Sequence, residues 1–216
     1  MATRTTDTYE LKPVAPHRMD APGTVTKMPS PRELHHVHIF SDENYDAMVD
    51  FYQMIFNGEV TNVHEKKAKL TFITYDDHDH RVVIIKRPGW GTKPEHPVGL
   101  SHLAFAYNSL AELLYIYKTL KAAGHPAPHW TVNHGNSTSF YYRDPDGNEV
   151  ETMLDNFPAQ ETQDYKRFYQ FTEAFGEMSE GNFDPDKMLA LHEAGEPDSV
   201  LLDREQVRRL AREGRL

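Results

Sequence analysis

The chain has 216 residues, a formal net charge of −10 and no cysteine. Its length suits one domain, or two small packed modules, with ample core. Without cysteine there are no disulfides, thiolate ligands or cysteine nucleophile, and the acidic balance argues against nucleic acid or an anionic membrane as partner. No apolar run is long enough to span a membrane, and the first residues carry no apolar signal core, so the expected location is cytoplasmic. Thirteen histidines stand out. A transition-metal site here would be built from imidazole and carboxylate, a set that suits Fe, Mn, Zn or Ni.

Residues 1–31 are polar, contain proline and show no periodicity, which predicts an extended or partly disordered arm. "ELHHVHIF" then reads as a strand. "DENYDAMVDFYQMIFNG" places Ala47, Met48, Phe51, Tyr52 and Ile55 at helical spacing, with Ser41 or Asp42 as N-cap and Gly58 past the end. Strands follow over 59–64, 69–75 and 81–86. The pattern restarts with the strand "GLSHLAFAY" and the amphipathic helix "SLAELLYIYKTLKAAG". Strands near 129–133, 138–142 and 149–154 complete it. The last two flank Asp144-Pro145-Asp146-Gly147, a strong turn signal.

The chain thus holds two βαβββ modules, one about 33–90 and one about 98–157. His36 to Gly58 and His102 to Gly124 are both 22 residues, and an aromatic, Phe51 or Tyr117, lies 15 residues after each histidine. The expected fold is α+β: a curved, mostly antiparallel sheet around a metal-binding cleft, with helices outside. His36 and His102 are equivalent across the repeat. On the last strand Glu149, Glu151 and Met153 share one face, and Val150, Thr152 and Leu154 the other. A lone glutamate on a strand usually meets solvent, and a lone histidine is usually half-buried structure. Two equivalent histidines plus Glu151 instead form a two-His, one-carboxylate set that leaves positions open on a metal. His38 shares a face with His36 and is the competing ligand. His64, His78, His96, His125 and His129 read as surface or loop residues.

On these residues the chain resembles the vicinal oxygen chelate superfamily and, within it, the type I extradiol catechol dioxygenases in a one-domain, two-module form. The resemblance covers roughly residues 33–157. "LHHVHIF", "GLSHLAFA" and "GNEVETML" match the superfamily's metal strands, and imply His36, His102 and Glu151 as ligands. "HDHRVVI" and "VNHGNSTSFYYRDPDGNEVE" are more specific. They imply His80 as acid/base, His134 as a histidine beside the metal shell and Tyr141 as the pocket tyrosine, all three touching substrate. The implied cofactor is Fe(II), with Mn(II) as the alternative. The implied reaction inserts both atoms of O2 into a catechol-type aromatic diol. Without the resemblance, His80 in "DDHDH" reads as solvated, His134 as a loop residue and Tyr141 as strand packing.

Two other functions fit the same fold. A glyoxalase-like lyase or isomerase would need a fourth ligand, a carboxylate on the last strand of module one. Glu151 lies 49 residues after His102, and the same step from His36 lands on Ile85, in a strand without Asp or Glu. A non-catalytic drug-binding protein would need no metal triad at all.

The charged tail, 158–216, predicts a helical extension that could support a homo-oligomer. "FDPDKMLALHEAG" offers Asp184 as N-cap, Pro185 at the first helical position and Gly195 as stop. "DREQVRRLAREG" is a second short helix with Val207 and Leu210 on one side. Phe168, Phe171 and Phe175 form an aromatic stripe, read as exterior packing or a dimer contact, with a lid over the cleft as the other reading.

Overall fold

The computed structural model describes residues 28–94 and 98–216. The expected arm over 1–31 falls almost wholly outside them, as does His96. The chain divides into two units, Met1–His35 and His36–Leu216. Of the first, residues 28–35 run without helix or strand, and Arg32 pairs with Glu33.

The second unit holds two four-stranded mixed sheets. In the first module β1 (Val37–Ser41) leads through α1 (Tyr45–Phe56) to β2 (Glu59–His64), β3 (Leu70–Thr74) and β4 (Val82–Lys86). β1 pairs parallel with β4, while β4–β3 and β3–β2 are antiparallel, giving the order β1-β4-β3-β2. The second module repeats this with β5 (His102–Ala106), α2 (Leu110–Ala122), β6 (Trp130–Asn133), β7 (Ser137–Arg143) and β8 (Glu149–Asp155), in the order β5-β8-β7-β6. The expected α+β fold of two βαβββ modules with helices outside is present, its strands forming two mixed sheets with β1 and β5 at an edge of each and one parallel pair per sheet.

One core serves both modules. α1 turns Met48, Phe51, Tyr52 and Ile55 inward; α2 turns Leu110, Leu113, Leu114, Tyr117 and Leu120 inward. These are the i, i+3, i+4 and i+7 positions of an amphipathic helix, continued in α2 to i+10 at Leu120. Val82 and Ile84 of β4 and Val150 and Leu154 of β8 meet them. Phe56 and Phe105 pack ring to ring at 4.3 Å, and the Tyr52 hydroxyl donates to Asp144 Oδ2 at 3.0 Å, so helix α1 touches both modules.

The caps of α1 differ from expectation. Its N-cap is Asn44, without a side-chain cap bond. Asp42 instead accepts from Gly89 N and Gly91 N, fixing the loop after β4, while Asn44 Nδ2 donates to Pro145 O and Asp146 Oδ1. Asn57, at φ 49°, takes the left-handed position expected of Gly58. Asparagine tolerates that region better than most residues.

The tail has α3 (Ala159–Tyr165), a π-helical turn (Lys166–Gln170), two 3-10 turns (Glu173–Phe175 and Met178–Gly181), α4 (Pro185–Glu193), α5 (Asp198–Leu201) and α6 (Arg204–Arg212). Asp184 caps α4, with Pro185 in its first turn, as the sequence predicts. The aromatic stripe does not survive. The π turn shifts the helical phase, leaving Phe168 and Phe171 exposed while Phe175 is buried. Met188, Leu201, Val207 and Leu210 join the shared core. Leu210→Ala is therefore expected to cost about 2–5 kcal/mol in urea unfolding, as for other large-to-small core changes. A loss below about 0.5 kcal/mol, typical of surface sites, would mean that α6 is not part of that core.

Candidate active site

Strand alternation builds the second module's half of the site. Val150, Thr152 and Leu154 are buried toward the core, so Glu149, Glu151 and Met153 point to the opposite face. Antiparallel register sets Tyr141 opposite Glu151, and Trp130 opposite Tyr141. Parallel register sets Ala104 opposite Glu151 and His102 opposite Glu149. One row across the sheet thus reads Trp130, Tyr141, Glu151, Ala104, with the small Ala104 leaving room beside the carboxylate.

From the neighbouring position on β5, His102 reaches over that row, and its Nε2 lies 3.1 Å from Glu151 Oε2. Tyr141 Oη is 3.0 Å from His134 Nε2. Trp130 stacks on Tyr141 with centroids 4.7 Å apart. Burial, and then the charge of Glu151, raise the Tyr141 phenol well above the usual tyrosine range. Burial lowers the His134 imidazole, with Glu151 opposing. The phenol therefore stays protonated, and the imidazole is held neutral at physiological pH.

The first module contributes a histidine group. Val37 and Ile39 pack toward the core, so His36, His38 and Phe40 alternate to the other face. The His36 ring is 4.9 Å from His38 and 4.7 Å from His80. His80 also meets Phe72 edge-on, and its Nδ1 lies 2.6 Å from Asp79 Oδ2. With 15% of its side chain exposed, His80 is not the solvated turn residue that "DDHDH" suggests. Burial, then the charges of His36 and His80, lower the His38 imidazole.

A cleft runs between the two sheets, lined by His38, Phe40 and Trp90 on one side and by His102, Asn148 and Glu149 on the other. The expected site residues therefore gather as two groups: His102, Glu151, Tyr141 and His134 on one sheet, His36 and His80 on the other. His36, His102 and Glu151 do not present ligand atoms within 4.8 Å of one another.

Three residues near the site were not singled out in the sequence for this role. His129, read there as a surface or loop residue, lies with Nε2 2.7 Å from Glu149 Oε2, whose other oxygen is 3.7 Å from His102 Nδ1. The alternation that puts Glu149 beside Glu151 was the available signal. Trp130 was legible only through strand register. Met178, with Sδ 3.0 Å from His134 Nδ1, had no local signal. His64 is exposed on β2, His78 bonds Asp76, and His125 meets Phe51 on the helix side.

The register also corrects a count. His38 pairs with Val83 as Ala104 pairs with Glu151, so the first-module equivalent of Glu151 is Val83, not Ile85. The second module spends two more residues between the paired positions. The conclusion about carboxylates stands, since Val83 is also apolar.

Residues 33–152 match the glyoxalase/bleomycin resistance protein/dioxygenase superfamily, and the chain belongs to that family. It is 36% identical over 179 residues to biphenyl-2,3-diol 1,2-dioxygenase 3 of Rhodococcus globerulus, covering 81% of this chain and 89% of that protein. It is 35% identical over 162 residues to biphenyl-2,3-diol 1,2-dioxygenase 2 of the same organism, covering 74% and 81%. A solved glyoxylase/bleomycin resistance protein/dioxygenase domain from Frankia sp. EAN1pec superposes with a TM-score of 0.52 at 21% identity, over 58% of this chain and 99% of that one, a likeness of fold. No helix among the described residues is long and apolar enough to cross a membrane.

Proposed function

We propose that the protein is an extradiol dioxygenase, inserting both atoms of O2 into a catechol-type aromatic diol at a non-heme Fe(II) held by His36, His102 and Glu151. The observation that carries this reading is the pairing of half-buried His102 with buried Glu151 beside Tyr141 and His134. Glu151 is 6% exposed, and no lysine or arginine among the described residues forms an ion pair with it. A buried carboxylate without a cationic partner is costly, and a bound cation would remove that cost. Imidazole and carboxylate together suit Fe(II), so the donor set fits the ion. Bound there, Fe(II) would supply a Lewis acid that lowers the pKa of a chelating diol and a redox partner for O2.

The protein's own groups supply the proton chemistry. His80, oriented by Asp79, is assigned to take a proton from the diol; imidazole is suited to this near neutral pH. Tyr141 stays protonated and can pass a proton from a diol oxygen to His134, which is held neutral and accepts it. Val83 in place of a fourth ligand weighs against a glyoxalase-like lyase. The activity for which the two Rhodococcus relatives are named weighs toward ring cleavage.

The test supplies Fe(II)-loaded protein with 2,3-dihydroxybiphenyl and simple catechols, with and without O2. The expected result is stoichiometric O2 uptake with a yellow ring-opened product. If every diol fails while a thiol hemiacetal turns over without O2, the protein is a lyase.

A further inference from the structure

The tail reaches the candidate site at His134 and meets it and the turn after it from three sides. A methyl group at Gly135, where φ is +86°, would sit 2.1 Å from Tyr165 Oη, so this tyrosine is seated directly on the turn after His134. Gln170 Nε2 donates to the His134 carbonyl at 3.4 Å. Met178 Sδ lies 3.0 Å from His134 Nδ1, while Tyr141 Oη lies 3.0 Å from Nε2 on the far side of the ring.

The loop carrying Met178 is fixed in turn. Arg204, 2% exposed, lies over the Phe175 ring at 3.7 Å. Its Nη1 donates to Phe175 O at 2.6 Å and its Nη2 to Glu177 O at 2.7 Å. Gly181, at the end of that loop, lets the chain approach β6: a methyl there would lie 2.1 Å from Asn133 O. Both ends of the loop are thus tied to the second sheet or to α6, and Met178 has little freedom to leave His134.

The chemistry of the two contacts differs. A thioether sulfur has lone pairs and no proton, so it can only accept. A phenol can donate or accept. A neutral imidazole carries one N–H, and the two nitrogens cannot both donate. With sulfur at Nδ1, the proton belongs on Nδ1. Nε2 then presents its lone pair toward the Tyr141 hydroxyl, whose single proton has the Glu151 carboxylate as its other acceptor. The reverse tautomer would set two lone pairs, those of Nδ1 and Sδ, against each other at 3.0 Å.

We propose that Met178 is a positioning residue that fixes His134 as the Nδ1–H tautomer, leaving Nε2 as the proton-accepting atom turned toward Tyr141 and the site. The role in ring cleavage rests on the function proposed above; the tautomer does not. In that role the tail sets the direction of proton flow: His134 starts as an acceptor at Nε2, ready to take a proton through Tyr141.

The experiment is two-bond ¹H–¹⁵N correlation spectroscopy on ¹⁵N-histidine-labelled full-length protein at neutral pH, with His134 assigned by its disappearance in His134→Gln. Wild type should show His134 protonated at Nδ1 and bare at Nε2. Met178→Leu keeps the shape and removes the acceptor, so the pattern should shift toward Nε2–H. Met178→Gln, whose amide oxygen can accept, should restore it. A wild-type ring protonated at Nε2, or a Met178→Leu spectrum unchanged from wild type, would overturn the proposal. The spectra need no substrate, so they decide the tautomer even if no diol is ever cleaved. If turnover is observed, Met178→Leu should lower kcat about 10-fold with KM unchanged, and Met178→Gln should recover most of it; the low end of the range for positioned acid/base groups is about 10², and a tautomer penalty removes only part of that. Equal kcat in Met178→Leu and wild type would show that the contact has no part in positioning the group.

Discussion

Glu151→Ala is expected to lose its iron while keeping its fold. Glu151 is the one buried carboxylate in its row, 3.1 Å from His102. Alanine removes the only anionic ligand of the proposed set and leaves two neutral imidazoles, which hold a divalent cation far more weakly. The fold should tolerate the change, because the buried charge was a cost to the metal-free protein. Metal analysis after anaerobic loading should show iron near background, with an unchanged far-UV circular dichroism spectrum. Retention of wild-type iron would remove Glu151 from the ligand set. The companion comparison is His36→Ala against His38→Ala. The first should lose iron and the second should lose much less, because the repeat equates His36 with His102. The opposite ranking would make His38 the ligand, a reversal the structure leaves room for, since His38 lines the cleft with His102.

His80→Gln should keep its iron and its affinity for diol, and turn over about 10² to 10⁴ times more slowly, the usual worth of a positioned acid or base. His80 lies outside the carboxylate group, against His36 and Phe72, with its Nδ1 beside the Asp79 carboxylate. That arrangement orients the ring through Nδ1. Glutamine keeps the polarity and much of the volume and cannot move a proton. Iron quantitation, diol titration under nitrogen and steady-state kinetics separate the terms. Loss of iron would place His80 among the ligands, and unchanged kcat would leave it without a part in proton transfer.

Much of the fold was legible because it is periodic. The two βαβββ runs, the Asp144–Gly147 turn and the cap at Asp184 each follow from local spacing and turn chemistry. Wherever the deciding contact is distant, the sequence was silent or misleading. Asp42 looks like a helix cap, but loop amides at Gly89 and Gly91 claim its carboxylate. His80 looks solvated because its neighbours in sequence are acidic, while its neighbours in space are Phe72 and His36. Counting residues from His36 chose Ile85 over Val83 because loop lengths differ between the modules, and only strand pairing shows equivalence. The stripe of Phe168, Phe171 and Phe175 assumed an α-helical phase that a π turn breaks. On the site, alternation predicted that Glu151 turns away from the core. The meeting of Met178 with His134, 44 residues apart, depends on tertiary packing alone.

The same tail has a consequence at the rim of the second sheet. β6 is the outermost strand there, and a bare outer strand offers its amides and carbonyls to any extended peptide. Val132 bridges to Asn182, Phe183 N donates to the Thr131 carbonyl, and Asn182 Oδ1 accepts from Trp130 Nε1. Those contacts occupy the rim with the protein's own chain. The opposite rim, β2, is exposed along its whole length and is covered by no such segment among the described residues. It relies on a register break between Val60 and Asn62 and on its polar side chains to discourage strand addition. The two modules share a plan, but they guard against self-association by different means. Releasing Asn182 and Phe183 from β6 would bare the rim of the second sheet and leave the rim of the first as it is.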